Sequence, residues 1–173
     1  CIEARRRGVA VLPPDGNRSQ AEATVELLPQ AGAAHGDAAL AIRTGLRQVK
    51  GITAPVIDAI SRARSARPYQ GLADFFRRVV PGGLDAAMAD NLILAGACDE
   101  LDAGGNRRQL LWWAGHLLRD ARAGDTPLFG QGTMPAGGGI PAADGVPDFN
   151  AWDRLLHQYD VLGFTTGPHP MAY

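Results

Sequence analysis

Basic residues crowd one stretch of this sequence, and a glycine interrupts them. Between positions 43 and 67 a single acidic residue, Asp58, stands against six basic ones: Arg43, Arg47, Lys50, Arg62, Arg64 and Arg67. The interruption reads Lys50-Gly51-Ile52-Thr53. A tight turn presents backbone N–H groups, and these donors, together with nearby cations, favour an anion such as phosphate. The stretch therefore predicts a phosphate-binding turn, with an ordinary solvated helix face as the alternative.

Helical spacing on both sides of the break predicts the elements that hold this turn. Gly51 ends a short first helix, Thr53 is placed to cap a second one, and Pro55 is tolerated in its first turn. The second helix is expected to end at Arg67-Pro68, because the residue before a proline disfavours helical backbone. The apolar residues that define the two helices are Leu46 and Val49 before the break and Val56, Ile57, Ile60 and Ala63 after it.

Helix, tight turn and helix together make a helix-hairpin-helix. In this arrangement the amides near the start of the second helix point outward, and the positive end of the helix dipole adds to their attraction for a phosphate oxygen. Such a contact positions a protein on a duplex without reading bases. A corner of two helices with a purely structural role fits the same pattern. The residues expected to bind DNA are Arg47, Lys50, Gly51, Ile52, Thr53 and Arg62, with Ile52 also anchored in the core.

The remaining pattern predicts a mainly α fold, a tandem helix-hairpin-helix with a small β element near the N-terminus. Two strands are expected, in "ATVELL" and in "ALAIRTGL". Further helices are expected over about 72–79, 84–94 and 106–122. A second hairpin at Ala95-Gly96-Ala97 is followed by acidic residues, so we expect it to pack rather than to bind DNA. A Gly/Pro-rich linker over 123–148 precedes a C-terminal helix, whose apolar residues are Phe149, Trp152, Leu155, Leu156, Tyr159 and Leu162.

The totals exclude several classes of protein. The chain of 173 residues has a net charge of −1, although residues 1–78 carry +5 and residues 79–173 carry −6. No run of about 18 uncharged apolar residues marks a membrane span. No signal-peptide pattern opens the chain, so we expect a cytoplasmic location. The two cysteines form no CxxC pair and the four histidines are dispersed, so no metal site is expected.

Six ordered segments resemble the bacterial C-family DNA polymerases, which comprise the replicative DNA polymerase III alpha subunit and its error-prone paralogue. They read "EARRRGVAVLPPDGNRS", "AIRTGLRQVKGI", "LADFFRRV", "LILAGACDEL", "RRQLLWWA" and "LGFTTGPHPM". Three shorter pieces, "GLRQVKG", "LPPDGNRS" and "GPHPM", are more similar to the error-prone paralogue. The same region of the replicative subunit is the alternative within the family.

The resemblance implies that the chain is a fragment with four parts. Residues 1–38 would be the end of the fingers domain and 39–122 the tandem helix-hairpin-helix DNA-binding domain. The linker follows, and 149–173 would be a helix with a connection toward an OB domain. The partners implied are duplex primer-template DNA and the remainder of the polymerase, with a sliding clamp and mutasome accessory proteins as further candidates. Leu128 and Phe129 match the apolar pair of a clamp-binding peptide, although the usual leading Gln is missing; Phe129 folding back on the domain is the alternative.

The resemblance also places the chemistry outside this chain. The carboxylates that hold two Mg²⁺ ions for nucleotidyl transfer would lie in the palm domain, so the chain would carry no catalytic residue and no cofactor of its own. Asp15 is expected to be a local hydrogen-bonding residue of its turn. The family pattern has Val at Gly16 and Gly at Thr53, and the second departure bears on the strength of the phosphate contact. A non-catalytic module that binds a protein partner stays open as the alternative to a DNA-gripping region.

Overall fold

The fold is mainly helical, as predicted, with a small three-stranded sheet at the N-terminal end. The computed structural model describes residues 2–29, 38–101, 106–123 and 146–167. The N-terminal elements are α1 (Ile2–Arg6), β1 (Ala10–Leu12), β2 (Thr24–Pro29) and β3 (Ala38–Arg43). The helices that follow are α2 (Ala54–Ala66), α3 (Leu72–Val79), α4 (Ala86–Ala95), α5 (Arg107–Ala123) and α6 (Ala151–Leu162). Three turns of 3₁₀-helix lie between them, at Leu46–Gln48, Val80–Gly82 and Asp99–Leu101.

Both predicted strands are present, and a third, β1, completes the sheet. The strand order is β1-β3-β2, with β3 parallel to β1 and antiparallel to β2. Leu27 lies opposite Leu40 in the register of β2 and β3. These two side chains and that of Val25 are exposed, so one face of the sheet is apolar and open. The domain boundary at 38/39 stays a prediction, although β3 pairs with strands on the other side of it.

The helices bury one continuous core. Its largest fully buried side chains are Phe75, Phe76, Leu46, Ile60, Leu72, Leu84, Leu92, Ile93 and Leu110. α2 packs on α3, α5 packs on both α3 and α4, and α6 packs on α4. Trp112 and Trp113 are adjacent on α5 and therefore point to different sides of the helix: Trp112 is exposed and Trp113 is packed against the core.

The helix predicted before the hairpin is only one turn of 3₁₀-helix, Leu46–Gln48. Gly45 is extended, with φ −75° and ψ 155°, and Val49 is extended again, with φ −74° and ψ 122°, so only the three residues between them are left for it. Two apolar residues three positions apart satisfy a 3₁₀ turn as well as an α-helix. The hairpin is therefore a 3₁₀ turn, a bend and α2.

The apolar face predicted for α6 was too wide. Leu155 and Leu162 are buried as expected, but Trp152, Leu156 and Tyr159 are exposed. Their place against α4 is taken by Gln158, which is buried and donates to the Ala95 carbonyl at 3.5 Å. A buried amide is tolerated when it is hydrogen-bonded. A prediction from the spacing of apolar residues misses such a residue, because it is polar.

Candidate nucleic-acid interface

The hairpin corner, residues 50–53, lies at the surface of the molecule. Lys50, Gly51 and Thr53 are exposed, whereas Ile52 is partly buried and packs against the core. The expected anchoring role of Ile52 is thus confirmed. Gly51 has φ +77°, a left-handed backbone conformation that side chains other than glycine rarely adopt. The bend is therefore made by the residue type that the sequence places there.

The backbone N–H groups of the corner divide into two sets. The N–H of Lys50 donates to the Val161 carbonyl at 2.9 Å, and that of Ile52 donates to the Val49 carbonyl at 3.2 Å. The N–H groups of Gly51, Thr53 and Ala54 meet no acceptor among the residues that the structure describes. All three of these residues are exposed. The corner thus offers three donors to an outside acceptor, with the paired N–H of Ile52 between the first and the second.

A side chain of α4 sets the direction of the first of these donors. Asn91 Nδ2 donates to the Lys50 carbonyl oxygen at 2.9 Å. The peptide bond between Lys50 and Gly51 is planar and trans, so its N–H points opposite to its carbonyl. Because the carbonyl points toward α4, the N–H of Gly51 points away from it. Nothing in the local sequence marks Asn91, which lies 41 positions after Lys50.

Thr53 stands at the N-cap of α2, as predicted, but its side chain does not cap the helix. Its backbone is extended, with φ −102° and ψ 154°, and the hydroxyl makes no cap hydrogen bond. Pro55 occupies the first turn and has no N–H to satisfy. Among the described residues, the N–H groups of Thr53 and Ala54 therefore meet no acceptor at the positive end of the dipole of this 13-residue helix.

The predicted cations do not gather at the corner. Lys50 Nζ lies 3.4 Å from Asp160 of α6, and both side chains are well exposed. Arg47 pairs with Glu22 at 3.2 Å. Arg62 lies more than two helical turns beyond Thr53, where its Nε contacts the Asp58 carbonyl at 3.4 Å. Only Lys50 of the three stands directly at the bend.

The other arginines of the basic stretch pair with residues away from the corner. The prediction that the basic residues form a single cluster is therefore wrong. Arg43 is buried at the end of β3 and pairs with Glu26 of β2 at 2.8 Å. The hydrogen bond between them raises the pKa of Arg43 and lowers the pKa of Glu26. Arg64 donates to the Gly16 carbonyl at 3.3 Å. A run of charges does not reveal partners that are distant in sequence, and these partners disperse the cluster.

The second hairpin is internal, as predicted. Its residues from 95 to 98 are all buried. Arg107 Nε and Nη2 donate to Asp99 at 2.9 and 2.6 Å, and its Nη1 donates to the Leu94 carbonyl at 2.9 Å. The N–H of Gly16 donates to the Ala97 carbonyl at 2.8 Å. The second hairpin therefore has its cation neutralised and its corner covered by the turn around Asp15.

That turn is held by local hydrogen bonds, as expected. Asp15 Oδ1 accepts from the N–H groups of Asn17 and Arg18 at 2.7 and 2.9 Å. Asn17 in turn exchanges two hydrogen bonds with the backbone of Tyr69. The buried Asp15 thus shapes the loop that docks the N-terminal segment onto the helices.

Other candidate sites give no further chemistry. Leu128 and Phe129 lie outside the described residues, so the clamp peptide stays a prediction. The described part of the chain contains no group of three or more His, Cys, Asp or Glu placed to hold a metal ion. Burial strongly raises the pKa of the Cys98 thiol, which makes it an unreactive core residue. In the same described ranges no helix is long and apolar enough to cross a membrane.

The fold and the exposed corner define a class of protein. Residues 8–110 match the family model described as helix-hairpin-helix motif, and the chain belongs to that family. Across nearly its whole length it is also similar to error-prone DNA polymerases. The identity is 35% to that of Symbiobacterium thermophilum over 99% of this chain, 36% to that of Aromatoleum aromaticum over 98%, and 32% to that of Bdellovibrio bacteriovorus over 98%. The resemblance to the error-prone paralogue is thereby confirmed. The chain spans 14% to 18% of the length of these relatives.

Proposed function

We propose that this chain is a DNA-binding region of an error-prone DNA polymerase and that it grips the backbone of the primer-template duplex without reading bases. The observation that carries the proposal is the set of N–H groups of Gly51, Thr53 and Ala54, which belong to exposed residues and meet no acceptor within the described ranges. Helix N-termini with such donors bind phosphate. The similarity to error-prone DNA polymerases supports duplex DNA as the source of that phosphate.

In the proposed contact the amides supply direction and Lys50 supplies charge. A phosphate oxygen that approaches Gly51 and Thr53 from the solvent accepts from both N–H groups, and the dipole of α2 adds a partial positive charge. The Lys50 ammonium releases a condensed counterion from the DNA when it approaches the backbone. Asp160 is its only described ionic partner and is well exposed, so exchange for a phosphate costs little.

Catalysis belongs outside this chain in our proposal. Transfer of nucleotides with Mg²⁺ would need palm carboxylates elsewhere in the polymerase, and recruitment by a sliding clamp would use Leu128 and Phe129. The DNA contact itself uses amides and one ammonium group, so it needs no metal ion. We expect EDTA to leave the affinity for DNA unchanged at constant ionic strength.

A salt titration tests the proposal. The whole chain is titrated into labelled primer-template DNA at about 50 to 200 mM salt, and we expect Kd in the non-specific range of roughly 10⁻⁴ to 10⁻⁶ M. For each phosphate neutralised, log K should fall by about 0.9 for every tenfold rise in salt concentration. Lys50→Glu should weaken binding roughly tenfold at about 0.1 M salt and flatten the slope by about one.

Arg119→Glu is the matched control, because it makes the same change in charge at an exposed site on α5. We expect it to weaken binding much less than Lys50→Glu. Binding that ignores both salt and Lys50→Glu would overturn the proposal and favour a protein partner for these helices. If the affinity depended on the base sequence, only the claim that the chain contacts the DNA backbone without reading bases would be contradicted.

A further inference from the structure

Three arginines share one aspartate at the junction of α2 and α3. Asp74 Oδ1 accepts from Arg67 at 2.8 Å and from Arg77 at 3.0 Å, and Oδ2 accepts from Arg78 at 3.0 Å. Within the described ranges Asp74 is the only carboxylate that pairs with any of the three. The group therefore carries two positive charges in excess.

Two of its members are structural. The side chain of Asp74 is only 9% exposed, and burial, which alone would raise its pKa, is outweighed by hydrogen bonds from Arg78, Gln70 N–H and Arg77, so the pKa is lowered. The side chain of Arg78 is 16% exposed. It donates to the carbonyls of Ala63 and Arg67 and lies 4.8 Å from the Tyr69 ring centre, so it closes the C-terminal end of α2.

The surplus charge rests on Arg67 and Arg77, whose side chains are 45% and 70% exposed. We call these two residues the arginine patch. Both Nη2 atoms contact one oxygen, at 2.8 and 3.0 Å, so they lie no more than about 6 Å apart. Two guanidinium groups at this separation repel each other, because the single negative charge of Asp74 does not neutralise both. An added anion with several oxygens, such as a phosphate diester, relieves that repulsion and matches the fork of each guanidinium.

We propose that the arginine patch is a second contact with the backbone phosphates of duplex DNA. This inference rests on the proposed function and extends it to the other end of α2. The helix has 13 residues and is about 20 Å long, a length equal to the rise of about six base pairs of duplex. The exposed Arg62 lies between them on α2, beside an open depression that Arg78, Pro81 and Gly82 also line. α2 thus carries the corner at its N-terminal end, and its C-cap residue Arg67 forms the patch together with Arg77 of α3.

The double variant Arg67→Gln with Arg77→Gln tests the patch. Salt titration with the same primer-template DNA should show a slope lower by at least about 0.9 and an affinity roughly eightfold or more weaker at about 0.1 M salt. Arg119→Gln with Arg122→Gln is the control, because it removes the same charge from two exposed residues of α5. If the double variant does not fold, Arg77→Gln alone serves, since its side chain is the more exposed, and Arg77→Lys should restore the slope.

The outcomes separate this inference from the proposed function. An unchanged slope in the double variant, while Lys50→Glu still weakens binding, would overturn the patch and leave the corner standing. An equal loss in the α5 control would show that total charge decides binding, which also overturns the patch. Wild-type protein that binds no DNA at any salt concentration would overturn the proposed function and this inference with it.

Discussion

At the scale of single residues, Asn91 illustrates how a side chain acts without touching a ligand. Its amide holds the Lys50 carbonyl and thereby aims the N–H of Gly51 outward. It carries no charge, so its contribution to the proposed DNA contact is separable from that of Lys50. Removal of the Asn91 amide should therefore have a different effect from removal of the Lys50 charge.

We expect Asn91→Ala to weaken DNA binding about fivefold, equivalent to roughly 1 kcal/mol, without changing the salt slope. The Gly51 donor loses its fixed direction, but no phosphate-neutralising charge is lost. Fluorescence anisotropy at several salt concentrations measures both quantities. Asn150→Ala, which removes an asparagine that caps α6 through the N–H of Asp153, is the control. A flatter slope in Asn91→Ala, or equal weakening in the control, would refute the aiming role.

The sequence predicted the corner residues but not what surrounds them. Gly51 and Pro55 punctuate the chain locally, so the bend and the start of α2 were visible. Asn91 was not, because only the fold brings it near Lys50. The pairs of Asp74 with Arg77 and Arg78 follow helical spacing along α3, whereas its pair with Arg67 depends on how α2 meets α3. The fate of Arg43 was hidden for the same reason, since its partner Glu26 lies on a neighbouring strand.

At the scale of elements, α2 and α3 are joined through Tyr69. Tyr69 is 4% exposed, its hydroxyl donates to the Ile60 carbonyl at 2.9 Å, and its ring meets Phe75 edge-on at 4.9 Å. Burial raises the pKa of Tyr69 to about 12. The connection between the helices is thus sealed by a phenol that resists ionisation.

Stability should therefore fall at alkaline pH. A tyrosine ionises near pH 10 in the unfolded chain but only near 12 in the fold, so its contribution is complete below pH 10 and is lost between the two values, by at most about 3 kcal/mol. Urea unfolding from pH 8 to pH 11.5 measures this loss. Tyr69→Phe should be less stable at pH 8, yet should decline less steeply above pH 10. A decline as steep as that of the wild type, or an equal flattening in Tyr159→Phe at an exposed site, would contradict this account.

Helix spans were the most predictable elements, and α3 was predicted at its observed bounds. Its apolar residues repeat at helical spacing, and glycines lie on both sides of it. α6 was harder, because Trp152, Leu156 and Tyr159 follow the helical period yet face outward. The spacing of apolar residues identifies α6 as a helix. Which side of α6 is buried depends on its packing against α4.

At the scale of the whole molecule, Gly45 joins the sheet to the helices. Next to it, the N–H groups of Leu46 and Arg47 donate to the carbonyls of Gln20 and Ala21. A Cβ at Gly45 would lie 2.4 to 2.7 Å from backbone atoms of residues 21–23. Two chain segments therefore approach here as closely as only glycine allows.

We expect Gly45→Ala to lower the free energy of unfolding by roughly 2 kcal/mol or more, because backbone atoms on both sides must move apart. Gly115→Ala makes the same chemical change in the middle of α5, where a Cβ would meet no atom of the described residues within 4 Å. That variant should be more stable by about 0.5 to 1 kcal/mol. Thermal unfolding followed by circular dichroism compares the two. Equal stability of both variants would refute the close approach at Gly45.

The overall architecture was predictable in class but not in arrangement. A mainly α chain with a small β element followed from the change of apolar period near Leu46. The parallel pairing of β1 with β3 was not visible, because β1 is three residues long and gives no alternation to read. Nor did the pattern show that the exposed Leu27 and Leu40 would face away from the helical core.

Lys50 is the only lysine among the 173 residues, and its ammonium group is exposed at the bend. Amine-directed reagents consequently address a single side chain, one that already stands where the duplex is proposed to rest. Reductive methylation keeps the positive charge of this ammonium group, so an isotope-labelled methyl group can be attached there without removing the charge that the proposed contact uses. The chain thus carries a native labelling site on the surface where DNA binding is proposed and should be measured.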